Sequence, residues 1–208
     1  MAFLDNTRKP VGFGGKVMVR MMNLLHGTMA HWGMQFLPLA PDARVLDCGC
    51  GGGTNIRTLL KKCPQGIVKG VDYSAVSAET ARKLNQRANA DNRCAIWQGG
   101  VERLIFAGAW FDVVTAFETV YFWKDLPRCF AEVNRVLKPG GTFFICNECG
   151  SGNPWESRVE GMRVPTDDEL RAALTQAGFG NIEMHANKYG WHCVLARKNA
   201  AETAEGKQ

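Results

Sequence analysis

From residue 44 to residue 197, short apolar runs alternate with amphipathic stretches. Apolar runs at 44–48, 67–71, 93–97, 111–117 and 142–147 have the length and β-branched or aromatic content of buried strands. The stretches 54–63, 75–89 and 126–137 repeat apolar positions at helical spacing, and Lys138-Pro139-Gly140-Gly141 stops the third of them and turns the chain. Thr166-Asp167-Asp168-Glu169 has the form of a capping box, opening a helix that ends at Gly178. Segments 182–186 and 191–197 flank the turn-like stretch 187–190 and predict an antiparallel pair. Strand–helix alternation closed by a hairpin predicts an α/β fold, an open, doubly wound, mostly parallel sheet with helices on both faces. Ligands of such sheets bind at the carboxyl ends of the strands.

Ahead of this core, residues 1–14 are rich in Gly, broken by Pro10, and read as an irregular arm. Residues 15–37 then form a helical pattern with one polar stripe (Lys16, Arg20, Asn23, Gly27, His31) among Met18, Met21, Met22, Leu25, Met29 and Trp32. Pro38 and Pro41 end it. The organisation expected is a cap over 1–40, a core over 41–198 interrupted by a Gly-, Ser-, Asn- and Pro-containing loop at 149–164, and a frayed polar tail at 199–208.

Composition narrows the class. A chain of 208 residues with 46% apolar and 22% charged residues can bury one continuous core without staples. The net charge of +5 is spread over pairs (Arg8-Lys9, Lys61-Lys62, Arg82-Lys83, Arg197-Lys198) rather than runs, so a solvated surface is expected and a nucleic-acid partner is not. The first residues lack a signal-peptide core, and no apolar stretch is long enough to span a bilayer. The eight cysteines then read as reduced thiols, and a cytoplasmic protein without a membrane partner is expected.

The chemistry concentrates in Val45-Leu46-Asp47-Cys48-Gly49-Cys50-Gly51-Gly52-Gly53, which leaves a strand and enters a helix. Glycines there let the backbone turn tightly and a ligand come close. Asp47, at the strand tip, would repel a pyrophosphate on the same turn and suits an ammonium group instead. A dinucleotide fingerprint needs a further Gly at position 54, which is Thr. Asp72, ending the next strand in Gly70-Val71-Asp72-Tyr73-Ser74, can accept hydrogen bonds from both hydroxyls of a ribose. Together these describe a site for an adenosine joined to an amino acid, without phosphate.

Val-Leu-Asp-x-Gly-x-Gly-x-Gly, Gly-Val-Asp-x-Ser, Phe111-Asp112-Val113-Val114 and Leu137-Lys138-Pro139-Gly140-Gly141 resemble the successive motifs of class I, Rossmann-like S-adenosylmethionine-dependent methyltransferases. The resemblance covers roughly residues 40–198. It implies a seven-stranded sheet whose last strand is antiparallel, with S-adenosylmethionine as cofactor and S-adenosylhomocysteine as product. It further implies that Gly49, Cys50, Gly51 and Gly53 line the methionine part, with Asp47 holding its amino group directly or through water. Asp72 takes the ribose and Tyr73 lies beside the adenine, while Ala116, Phe117 and Glu118 approach the sulfonium. One departure stands out: the family often has Gly-Asp-Ala after the third strand, where this chain has Gly99-Gly100-Val101-Glu102. Either the backbone at Gly100 and Val101 or the Glu102 side chain must then meet the adenine amine.

The methyl group of such a cofactor is already activated, so the fold alone does not assign a base. Candidate catalytic groups are His26 on the N-terminal helix, with Glu118 and Tyr121 after the fourth strand; each could equally be a packed or hydrogen-bonded residue. Tyr121 and Trp123 could wall a substrate pocket or simply pack in the core. His31 reads as solvated, and Trp155 and Arg158 in the inserted loop are weaker candidates. Cys48, Cys50, Cys146 and Cys149 are read as structural thiols, without a metal. The expected function is methyl transfer to a small molecule of apolar character by a monomer or homodimer. A cofactor-binding partner subunit without turnover is the alternative, and Asp47 with Thr54 argues against a nucleotide-dependent oxidoreductase.

Overall fold

The computed structural model describes residues 27–148 and 156–200. In chain order the elements are α1 (Gly27–Gly33), β1 (Arg44–Cys48), α2 (Thr54–Lys62), β2 (Ile67–Asp72), α3 (Ala75–Leu84), α4 (Gln86–Ala90), β3 (Cys94–Gln98), β4 (Phe111–Phe117), α5 (Leu126–Val136), β5 (Leu137–Glu148), α6 (Asp167–Gln176), β6 (Phe179–Ala186) and β7 (Trp191–Lys198). A short 3-10 turn, Val120–Phe122, lies between β4 and α5. The strands form one seven-stranded sheet in the order β3-β2-β1-β4-β5-β7-β6. All neighbours are parallel except β7, which runs antiparallel to both β5 and β6. The doubly wound sheet with an antiparallel last strand is therefore present as the motifs implied.

Strand alternation divides the core in two. Val45, Val113, Phe117, Phe144 and Cys146 face α1, α2 and α3, meeting Met29, Ile56, Leu59, Ala78 and Ala81. Leu46, Val114, Ala116, Phe143 and Ile145 face the other way, against Phe130, Val133 and Val136 of α5 and Leu170 and Leu174 of α6. Burying a side chain of this size contributes roughly 1.5–3 kcal/mol, so both layers are needed to hold the strand tips in place.

Three local readings differ from expectation. The N-terminal helix, expected to reach residue 37, ends at Gly33, and residues 34–36 turn through the Gln35 N–H to Trp32 O and Phe36 N–H to Gly33 O bonds. Gly33 has no room for a Cβ against Cys146 and Phe144, so the helix can rest directly on β5. The helix expected over 75–89 breaks at Asn85, whose buried amide donates to both Gly53 O and Ala81 O and holds the chain out of helical geometry. The fifth strand starts at Leu137 because the ladder pairs Phe111 with Leu137 and then Val113 with Thr142; Lys138–Gly141 loops out between them, with Gly140 at φ +72°. The capping box at Thr166 and Glu169 is formed in both directions.

Candidate functional site

The turn after β1 is fastened to the end of β2. The N–H groups of Gly49 and Cys50 both donate to Val71 O (2.8 and 3.1 Å), and Gly51 N–H donates to Asp72 Oδ2 (2.8 Å). Ser74 N–H donates to Asp72 Oδ1 (2.9 Å), so each oxygen of this carboxylate accepts one backbone bond and keeps a further lone pair. Asp72 is 7% exposed; burial raises its pKa, and the Ser74 and Gly51 N–H groups oppose that rise. Gly49 stands at φ +73°, and the space its side chain would need is filled by Thr119. The two turns after β1 and β4 therefore interlock at a position only Gly can occupy.

Asp47 is 1% exposed. Its Oδ1 accepts from Thr115 Oγ1 (2.7 Å), while Oδ2 has no partner among the described residues. Burial drives its pKa up to about 7; the Thr115 bond opposes the rise and the nearby charge of Asp72 adds to it. The buried thiols of Cys48 and Cys50 are pushed well above their ordinary value by the same loss of solvent, with the neighbouring carboxylates adding to it. They are inert thiols, unsuited to nucleophilic work.

A cleft of about 390 Å³ opens over the carboxyl ends of β1, β2 and β3 and against the exit from β4. Gly49, Asp72, Tyr73, Gly100 and Val101, all singled out from the sequence, are in its wall, together with Glu102, Thr119, Trp123 and Arg128. The Glu102 carboxylate folds back over Gly100 into the volume a Cβ would take. Other expected residues lie elsewhere. Cys50, Ala116 and Phe117 are buried in the two core layers. Gly53, at φ +82°, presses on Ala81 and the Asn85 amide, so its lack of a side chain serves the contact of α2 with α3. Gly51 has open space where a Cβ would stand.

Glu118 follows Phe117 at the tip of β4 with φ +53°, a left-handed conformation for a residue with a side chain, and its N–H donates to Cys146 O (2.8 Å). Tyr121 is buried and donates its hydroxyl to Glu148 O (2.9 Å), joining the β4 exit to the end of β5. His31 and Arg158 are exposed. His26 and Trp155 fall outside the described residues, as does Cys149. Cys48 and Cys146 lie in opposite core layers, with β4 between their strands, and among the described residues no group of three or more metal-ligating side chains is assembled. No described helix is long and apolar enough to cross a membrane. Sequence reasoning passes over Thr115, Thr119 and Asn147. Thr115 has a signal, as the one hydroxyl in an apolar strand; Thr119 is defined only by its contact with Gly49.

Comparison with known proteins agrees with this architecture. The family described as a methyltransferase domain matches residues 46–145. The chain is 30% identical over 166 residues to cycloartenol-C-24-methyltransferase of Arabidopsis thaliana, covering 80% of this chain and 49% of that one. It is 30% identical over 163 residues to malonyl-[acyl-carrier protein] O-methyltransferase of Herminiimonas arsenicoxydans, covering 74% and 59%. The chain thus spans about half the length of the curated relatives it matches. Among solved structures, a SAM dependent methyltransferase from Aquifex aeolicus superposes with a TM-score of 0.75 at 16% identity, covering 88% of this chain and 98% of that one. Geranyl diphosphate C-methyltransferase from Streptomyces coelicolor A3(2) superposes with a TM-score of 0.73 at 17% identity, covering 91% and 86%.

Proposed function

The chain belongs to the class I, Rossmann-like S-adenosylmethionine-dependent methyltransferases, and from that premise we propose that it transfers the cofactor's methyl group to a small-molecule acceptor of apolar character. The observation that carries the reading is Asp72. It is a carboxylate held rigidly by two backbone N–H groups in the wall of a cleft large enough for a nucleoside joined to an amino acid. Both oxygens retain a lone pair for a ribose hydroxyl. Asp47 lies beneath the turn after β1, so a phosphate-bearing ligand is disfavoured there. Glu102, folded over Gly100, is the natural acceptor for the adenine amine, and Tyr73 offers a ring beside the base.

The bound cofactor supplies a methyl carbon already activated by a positive sulfur. The chain's own task is to hold that carbon in line with the acceptor and keep water away. Asp47, Gly49 and Gly51 hold the amino-acid end, and the β4 exit from Glu118 to Tyr121 presents the reacting end to the acceptor. Glu118, whose left-handed backbone sets the direction of its Cα–Cβ bond, is the side chain we assign to orient an acceptor or take its proton. Relatives named for sterol and geranyl diphosphate C-methylation support an acceptor built on an apolar skeleton.

The test is a calorimetric titration with S-adenosylhomocysteine, using NADH as control ligand, followed by methyl transfer from radiolabelled S-adenosylmethionine to cycloartenol and to geranyl diphosphate. Saturable binding of S-adenosylhomocysteine alone, with label appearing in an extractable product, is expected. Binding of NADH in its place would overturn the cofactor assignment. Binding with no transfer to either acceptor or to a metabolite extract would favour a partner subunit without turnover.

A further inference from the structure

Asn147 lies near the carboxyl end of β5 with 1% of its surface exposed, and neither its Oδ1 nor its Nδ2 has a hydrogen-bond partner among the described residues. A buried amide left in this state is a standing cost to the fold, as a donor and as an acceptor at once. Leucine would fit an apolar layer without that cost.

Its place in the sheet suggests why an amide is there. The cleft with Asp72 runs from the ends of β1, β2 and β3 to Thr119, Phe122 and Trp123 of the β4 exit, and β5 comes next in the sheet. An acceptor that approaches the reacting end from the side opposite the adenosine comes past the β4 exit, towards the end of β5. Asn147 is at that end, one residue beyond Cys146, whose carbonyl receives the Glu118 N–H. Strand alternation puts it on the α5 and α6 side with Ile145 and, across the ladder, His192. His192 is already engaged with Asp167 (3.1 Å). Beyond the ends of β4 and β5, Tyr121 is tied to Glu148 O, the Arg163 N–H is tied to Tyr121 O, and Val159 and Val164 are buried.

We propose that Asn147 holds the methyl acceptor through a single neutral hydroxyl, which donates to Oδ1 and accepts from Nδ2. The proposal deepens the methyltransferase reading and rests on it for the direction from which the acceptor arrives. A hydroxyl answers both halves of the amide; an ether or carbonyl answers only the donor, and the amide itself carries no charge to balance an anion. Because the amide has almost no exposed surface, the acceptor reaches it by displacing part of its cover.

The probe is geraniol, with geranyl methyl ether as its control, titrated into protein saturated with S-adenosylhomocysteine. Wild-type protein is expected to bind the alcohol at least about tenfold more tightly than the ether, the worth of one well-made hydrogen bond. Asn147→Leu is expected to abolish that preference, leave S-adenosylhomocysteine affinity unchanged and melt at a higher temperature than wild type. Asn147→Ala, which adds no bulk, guards against misfolding and is expected to lose the preference too. No binding of geraniol, no preference in wild type, or a preference that survives both substitutions overturns the proposal. Failure of S-adenosylhomocysteine to bind sinks the cofactor reading instead. In that case a lower melting temperature for Asn147→Leu shows that the amide has a structural partner, which overturns the acceptor role as well.

Discussion

The carboxylate of Glu102 occupies the space beside Gly100 that a side chain at position 100 would fill. The two residues act as one unit: the glycine makes the room and the glutamate two positions on supplies the negative charge to the cleft wall. On the proposed cofactor reading, Glu102 takes the part that Asp plays in the Gly-Asp-Ala pattern, delivered from a different position. Glu102→Ala is expected to weaken S-adenosylhomocysteine binding by about 0.5–1.5 kcal/mol, the net worth of one hydrogen bond at a partly solvated site. Gly100→Asp alone should weaken binding too, by crowding two carboxylates. The double variant Gly100→Asp/Glu102→Ala should recover most of the loss, and calorimetry on the four proteins decides. If the two losses simply add, the residues are not exchanging one role.

Asp72 carries a structural duty as well as its proposed ligand duty, since it fastens the Gly51 and Ser74 N–H groups. Asp72→Ala leaves both without that acceptor. It is expected to lower stability by roughly 1–3 kcal/mol and cofactor affinity by a similar amount. Thermal melts and S-adenosylhomocysteine titrations on the same samples separate the two effects. Full affinity in a folded variant would remove Asp72 from the site.

At Glu118 backbone and side chain can be tested separately. A non-glycine residue at φ +53° carries a conformational cost on the order of 1 kcal/mol, which Gly does not. Glu118→Gly removes that backbone cost together with the side chain and its contacts, and its turnover should fall. Glu118→Gln keeps the backbone cost and isolates the charge. Unchanged turnover in both variants would confine Glu118 to shaping the turn that brings Thr119 onto Gly49.

Much of this is legible in one dimension. Strand alternation sets the faces of the sheet, and Asp47, Gly49 and Asp72 are legible as strand-end or turn positions on which the proposed adenosine site is built. Gly53 carries a second reason for being glycine that the chain does not spell out: its Cβ volume is taken by Ala81 and the Asn85 amide, a contact invisible along the sequence. The break at Asn85 is hidden for the same cause, because its partner Gly53 is 32 residues away. Asn147 leaves no local signal, as its interest lies wholly in the partners it lacks.

Asp47 supplies the pH dependence. Its folded pKa of about 7 is far above the ordinary 3.8, so between those values the folded chain holds a proton that the unfolded chain has lost. Stability without ligand should therefore fall as pH rises from about 4 to about 7 and level off above, the reverse of a salt-bridged aspartate. Asp47→Asn should flatten that slope. Cofactor binding should respond in the opposite sense. An ammonium group favours the ionised carboxylate, so S-adenosylhomocysteine affinity should climb towards neutral pH, by at most about tenfold per unit, and binding near pH 6 should release a proton. Titrations in two buffers of different ionisation enthalpy count that proton, and Asp47→Asn should abolish both the release and the climb. If the wild-type affinity is flat from about pH 5.5 to about pH 8, on either side of the folded pKa, Asp47 does not face the cofactor's amino group, and its unpartnered oxygen must answer to something else.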